Sequence, residues 1–195
     1  MKTFVIRPRF NTLIPLVLAA AIAISTALSA LSQTVIVESK LADGSDNPAW
    51  TFTSGKWGRS KNKSRQSETS LTATNVATCN TTNDIPSFKI SPELKSGTTY
   101  TLEVTFGTSN TQGASPALVV AVAAEGVSDS TIPETTKAFQ AENANQWATV
   151  GKFTASTDKP AFTFTYAGGT ISTNPIARWY ADAVRFVPAA PKADE

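Results

Sequence analysis

Apolar and polar residues alternate with a two-residue period over much of the chain beyond residue 33, the pattern of strands that bury one face and wet the other. Residues 34–38 and 50–53 read as the first two strands. Residues 69–76 and a strand around Phe88 and Ile90 follow, and residues 78–84 between them read as a turn. Tyr100, Leu102, Val104 and Phe106 then alternate with Thr and Glu. Residues 117–124 form an uninterrupted apolar run, bounded by Pro116 and Glu125-Gly126, which predicts a central strand. Residues 126–136 read as a polar loop, and residues 137–144 as a short helical turn or an extended edge. Residues 147–155 and a strand carrying Phe162, Phe164 and Tyr166 come next. The last strand, residues 176–188, places Asp182, Val184 and Phe186 on one side. Ala183, Arg185 and Val187 lie on the other. A carboxylate sharing a face with two apolar side chains is costly without partners. Strands separated by turn residues, with no heptad or internal repeat, predict an all-β, antiparallel β-sandwich.

The first 32 residues read as a signal peptide. Lys2, Arg7 and Arg9 precede an apolar core, and Ala27, Ser29, Ala30 and Ser32 supply small residues for cleavage. An uncleaved anchor is the alternative, since residues 13–31 are about long enough to span a bilayer. Residues 33–188 form the expected domain and residues 189–195 a charged tail. The whole chain carries 17 basic and 15 acidic residues, formally +2. Removing Lys2, Arg7 and Arg9 leaves 14 against 15, formally −1. A near-neutral domain gives no general reason to expect nucleic acid as a partner, which needs a basic face. It has no stable membrane span once the leader is gone. The expected location is secreted, periplasmic or at the cell surface.

The chain has no histidine and one cysteine, Cys79. Histidine-dependent catalytic triads, His-ligated metals, structural zinc and an internal disulfide are therefore excluded. Oxygen-ligated calcium stays open. Cys79 reads as a buried small residue, or else as a free thiol able to link chains. The acids are scattered among loops, with no pair set for glycosidase chemistry. Nothing else points to an enzyme.

Several local patterns fall in a recognisable order. They are Val35-Ile36-Val37-Glu38, Phe52-Thr53-Ser54-Gly55-Lys56-Trp57 and Ser96-Gly97-Thr98-Thr99-Tyr100-Thr101-Leu102-Glu103-Val104. Ser109-Asn110 ahead of Ser115-Pro116 and then Asn145-Gln146-Trp147-Ala148-Thr149-Val150-Gly151-Lys152-Phe153 follow, and Ala181-Asp182-Ala183-Val184-Arg185-Phe186-Val187-Pro188 closes the series. Together they resemble the golvesin C-terminal-like domain, also described as the carbohydrate-binding-like domain of xanthan lyase. The resemblance implies a galactose-binding-like jelly roll with a non-catalytic role on extracellular polysaccharide or cell-wall glycan. The alternative is a structural or adhesive protein of the cell envelope. The basic, Ser/Thr-rich stretch 56–75 departs from the Gly and Tyr common in such domains.

Three sets of residues are candidates for a site. In jelly-roll sugar-binding modules a carboxylate on the last strand often joins one near the first to hold calcium, so Asp182 with Glu38 and Asp43 is a possible Ca2+ set. The competing reading has Asp182 accepting hydrogen bonds from backbone amides or an indole and tying the strand end. Among the aromatics, Trp50 and Trp147 read as core. Trp57 stands before a polar loop, and one of Trp179 and Tyr180 is expected at the surface, where a ring can stack on a sugar. The third set is the run Lys56, Arg59, Lys61, Lys63 and Arg65, either a solvated loop or an attractor of anionic glycan. Trp57, Arg59, Lys61, Arg178 and Tyr180 are the expected ligand contacts.

Overall fold

A computed structural model describes residues 33–60, 76–107, 113–171 and 176–190. The expected leader, the strand over residues 69–75, the cations Lys61, Lys63 and Arg65, and the end of the tail lie outside the described residues. In chain order the strands are β1 (Val35–Glu38), β2 (Trp50–Ser54), β3 (Gly58–Ser60), β4 (Val76–Cys79), β5 (Ser87–Ile90), β6 (Thr99–Thr105) and β7 (Val119–Glu125). They continue as β8 (Val127–Ser128), β9 (Thr135–Thr136), β10 (Ala148–Ala155), β11 (Ala161–Gly168), β12 (Trp179–Ala181) and β13 (Ala183–Pro188). A single 3-10 turn, Ala141–Asn143, sits in the stretch where a helical turn is expected.

One five-stranded sheet runs β1-β13-β6-β10-β8 and a second runs β2-β5-β11-β7-β9. The strand pairings within them are antiparallel. Their apolar faces meet in a continuous core, the sandwich the alternation predicts. Phe186 of β13 lies 5.3 Å from Phe162 of β11, ring centre to ring centre, and Phe153 of β10 lies 4.9 Å from the same ring. These contacts join the two layers through side chains that period-2 patterning sends inward.

A third, three-stranded sheet, β12-β4-β3, stands beside them. Phe88, fully buried on β5, joins it to the core. Its ring packs against Trp50 (4.8 Å), Phe164 (5.0 Å), Trp179 (5.4 Å), Trp57 (5.6 Å) and Phe139 (6.2 Å). Trp179 belongs to β12 and Trp57 directly precedes β3, so the small sheet hangs on this aromatic cluster.

The closing strand is divided. Residues 179–181 pair with β4 and residues 183–188 pair with β1 and β6. Asp182 is the residue at which the chain passes from one sheet to the other. Ser39, wholly buried, fastens this junction. Its amide donates to the Asp182 carbonyl (2.7 Å), its hydroxyl donates to the Ala181 carbonyl (2.5 Å), and its oxygen accepts the Ala77 amide (3.2 Å).

Four further expectations change. Residues 78–79 are strand, not turn, because Val76–Cys79 is buried on both faces between β3 and β12. Residues 58–60, expected as loop, form the edge strand β3. The polar stretch 126–136 contributes β8 and β9, each fixed by pairing with a longer neighbour. The apolar run becomes β7, one strand in from a sheet edge and half-wet, with Ala123 exposed.

Candidate functional site

The small sheet builds the site. In its register Thr78 of β4 stands opposite Gly58 of β3 on one side and Tyr180 of β12 on the other. Opposed residues share a face, and so do residues two apart. One step outward at the same end of the three strands come Lys56, Asn80 and Arg178. The Lys56 amide lies against the Cys79 thiol, beside this end of the sheet. Arg59, next to Gly58 on the edge strand, adds to the lining while its guanidinium lies against the loop after β1. Lys56, Gly58, Arg59, Thr78, Asn80 and Arg178 together line an open cleft of about 200 Å³.

Arg59 is held by the loop after β1. Its guanidinium lies over Gly44, where an added Cβ would stand 2.0 Å from the nearer nitrogen and push the Arg59 side chain aside. The backbone of Gly44 is also left-handed, with φ near 87°. Asp43 accepts the Ser45 hydroxyl (2.6 Å) and amide (2.8 Å) in the same loop. Those bonds hold its carboxyl below the ordinary range, with a smaller contribution from the charge of Arg59.

The cleft is electropositive by composition. Three of its six lining residues are cations and none is acidic. Among the described residues the ion pairs are Lys40–Asp46, Lys89–Glu125, Lys159–Glu93 and Arg185–Glu103, so none involves Lys56, Arg59 or Arg178. Two polar atoms of the lining are shut off from solvent without a hydrogen-bond partner, Thr78 Oγ1 and Arg178 Nε. A second cleft, of about 370 Å³, lies between residues 47–49 and 91–93. There Lys159 and Glu93 pair at 2.9 Å and cancel each other's charge.

Of the expected ligand contacts, Arg59 and Arg178 come together, although 119 positions separate them in the chain. Lys61 lies outside the described residues. Trp57 is half-buried with its ring turned inward, 5.1 Å from both Phe52 and Trp179, and its indole N–H donates to the Ser54 carbonyl at 2.9 Å. It packs against the core cluster rather than standing free on the loop. Tyr180 is 1% exposed and Trp179 fully buried, so neither member of that pair reaches the surface. The expectation of one exposed ring assumed a strand with one wet face, whereas β12 is buried on both. Trp147, expected in the core, is half-buried on the outer side. Ala148 and Val150 take the core face of β10, leaving Trp147 against the Arg185 guanidinium at 4.3 Å.

The three carboxylates expected around calcium take different settings. Asp182 is 1% exposed at the sheet junction, Glu38 half-buried at the end of β1, and Asp43 exposed in its loop. Among the described residues no three carboxylate or thiol side chains gather as a metal-holding group. Trp179 Nε1 has no hydrogen-bond partner either, so its indole does not tie Asp182. Cys79 is buried, its thiol donating to the Thr81 carbonyl at 3.3 Å, and burial pushes its pKa up. That is the small-residue reading.

Sequence reasoning passed over Thr78, Asn80, Gly58 and Ser39. Residues 78–84 have the composition of a turn, and the signal that Thr78 lies in a strand is its pairing on both sides. No family model matches the chain, and no curated protein or solved structure matches it. Among the described residues no helix is long and apolar enough to cross a membrane.

Proposed function

We propose that this protein is a secreted, non-catalytic module that binds an anionic extracellular polysaccharide or cell-wall glycan in the cleft of Lys56, Arg59 and Arg178. The observation that carries the reading is a concave surface lined by those three basic residues and no acidic one, none of them ion-paired within the described residues. A concave, one-signed site concentrates counter-ions and speeds capture of an oppositely charged chain. The rings expected to stack on sugar are turned inward, so charge replaces stacking as the source of affinity. The motif order resembling the golvesin C-terminal-like domain supports the glycan as the polymer. It also makes a galactose-binding-like jelly roll our reading of the sandwich.

Affinity electrophoresis tests this. Gels containing polygalacturonate or dextran sulfate should retard the protein, and gels containing neutral dextran should not. Arg178→Ser should lose most of the retardation. Equal mobility in all gels, together with concentration-dependent self-association, would replace the glycan reading with a structural role in the envelope.

A further inference from the structure

The floor of the cleft carries more than positive charge. Thr78 is only 5% exposed, and its hydroxyl oxygen has neither solvent nor a hydrogen-bond partner. Arg178 Nε, in the same lining, is in the same state. A buried donor left unmade is costly, and folded proteins hold few. Two of them in one small cleft mark a place where an acceptor belongs.

The donors also constrain the shape of that acceptor. They come from three neighbouring strands: Lys56 and Arg59 at β3, Thr78 and Asn80 at β4, and Arg178 before β12. A carboxylate has two oxygens in one plane, which one guanidinium fork satisfies. A sulfate or phosphate ester ends in three oxygens arranged as a tripod, which can meet donors arriving from several strands. The volume, about 200 Å³, is below the roughly 300 Å³ at which sites for drug-sized molecules begin. That suits a substituent projecting from a sugar better than the ring itself.

Resting on the anionic-glycan reading, we propose that this cleft selects the tetrahedral oxyanion of a sulfate or phosphate ester over a carboxylate, with Thr78 and Arg178 as the selecting donors. The sulfate and phosphate sources are separable by pH. The chain has no histidine, the side chain whose ordinary titration falls between pH 5 and 7.5. Titration in that window therefore belongs to the ligand. A phosphate monoester gains its second charge near pH 6, whereas a sulfate ester carries one charge throughout.

Calorimetry at constant ionic strength, with inorganic sulfate, inorganic phosphate and acetate as probes, tests the selection. Sulfate and phosphate should bind at least about tenfold more tightly than acetate. Phosphate affinity should climb from pH 5 to 7.5 while sulfate affinity stays flat. Thr78→Val should collapse the sulfate-over-acetate ratio toward one, with its unfolding midpoint unchanged or raised, because the lost hydroxyl bonded to nothing. Dextran sulfate and a phosphomannan, compared with polygalacturonate, then show which ester the cleft prefers on a polymer. Acetate binding as tightly as sulfate, or Thr78→Val keeping the full ratio, would overturn the ester assignment and leave the anionic-glycan reading in place. Failure to bind any of the three polymers would overturn both.

Discussion

Phe88→Ala removes a ring that is fully buried and touches five other aromatic rings. Those five rings stand on separate elements: Trp50 on β2, Trp57 before β3, Phe139 before the 3-10 turn, Phe164 on β11 and Trp179 on β12. None can move into the gap without carrying its own strand along. The cavity therefore stays open, and the loss should lie in the upper part of the usual range for Phe→Ala, about 4–5 kcal/mol. Total stabilities are roughly 5–15 kcal/mol, so this one side chain accounts for a large share. With a urea m-value of about 2 kcal/mol per M, the midpoint should fall by about 2 M. Phe52→Ala, at a half-buried ring 5.1 Å from Trp57, should cost less than half as much. Because Trp57 and Trp179 tie the small sheet to Phe88, glycan affinity should fall as well at temperatures where the variant stays folded. A loss below about 2 kcal/mol at unchanged m would refute the argument that the rings cannot close over the gap.

Three further outcomes are expected. Gly58→Leu should abolish retardation in anionic gels at unchanged thermal stability, since Gly58 lines the cleft and an added Cβ meets only the Thr78 carbonyl, at 3.9 Å. Gly169→Ala should lower the unfolding midpoint measurably, because its Cβ would stand 1.7 Å from the Ala117 carbonyl oxygen at a left-handed φ of 82°. The Cys79 thiol has a raised pKa, so the folded state keeps this proton where the unfolded chain loses it. Its contribution is present below about pH 9 and lost as pH rises through the folded value, so stability should decline above pH 9 in the wild type and decline less in Cys79→Ala.

The sandwich was legible where alternation spans enough residues to fix a face, as in β6, β10 and β11. It was not legible where pairing alone makes the strand. Gly58–Ser60 has no apolar residue, and Val127–Ser128 is two residues long. Both exist because a neighbour supplies the ladder. Val76–Cys79 was hidden for a different reason: it is buried on both faces, so it shows no alternation, and Asn80 and Thr81 after it look like a turn. The site suffered from the same omission. Arg59 and Arg178 were named from composition, but β4 is the strand that sets them side by side, and Thr78 lies on it. The burial of Trp179 and Tyr180 followed from a third sheet that no single-strand pattern announces. Asp182 was recognised as an anomaly on the closing strand. Its place at a change of sheet depends on Ser39, 143 positions away.

The most direct measurement is a map of backbone amide shifts while a sulfated oligosaccharide is added to the labelled protein. The account predicts shifts confined to residues 56–60, 78–80 and 178, saturating together at one affinity and fading as salt is raised. Saturable shifts centred elsewhere, such as the cleft between residues 47–49 and 91–93, would contradict it, as would a spectrum that does not move.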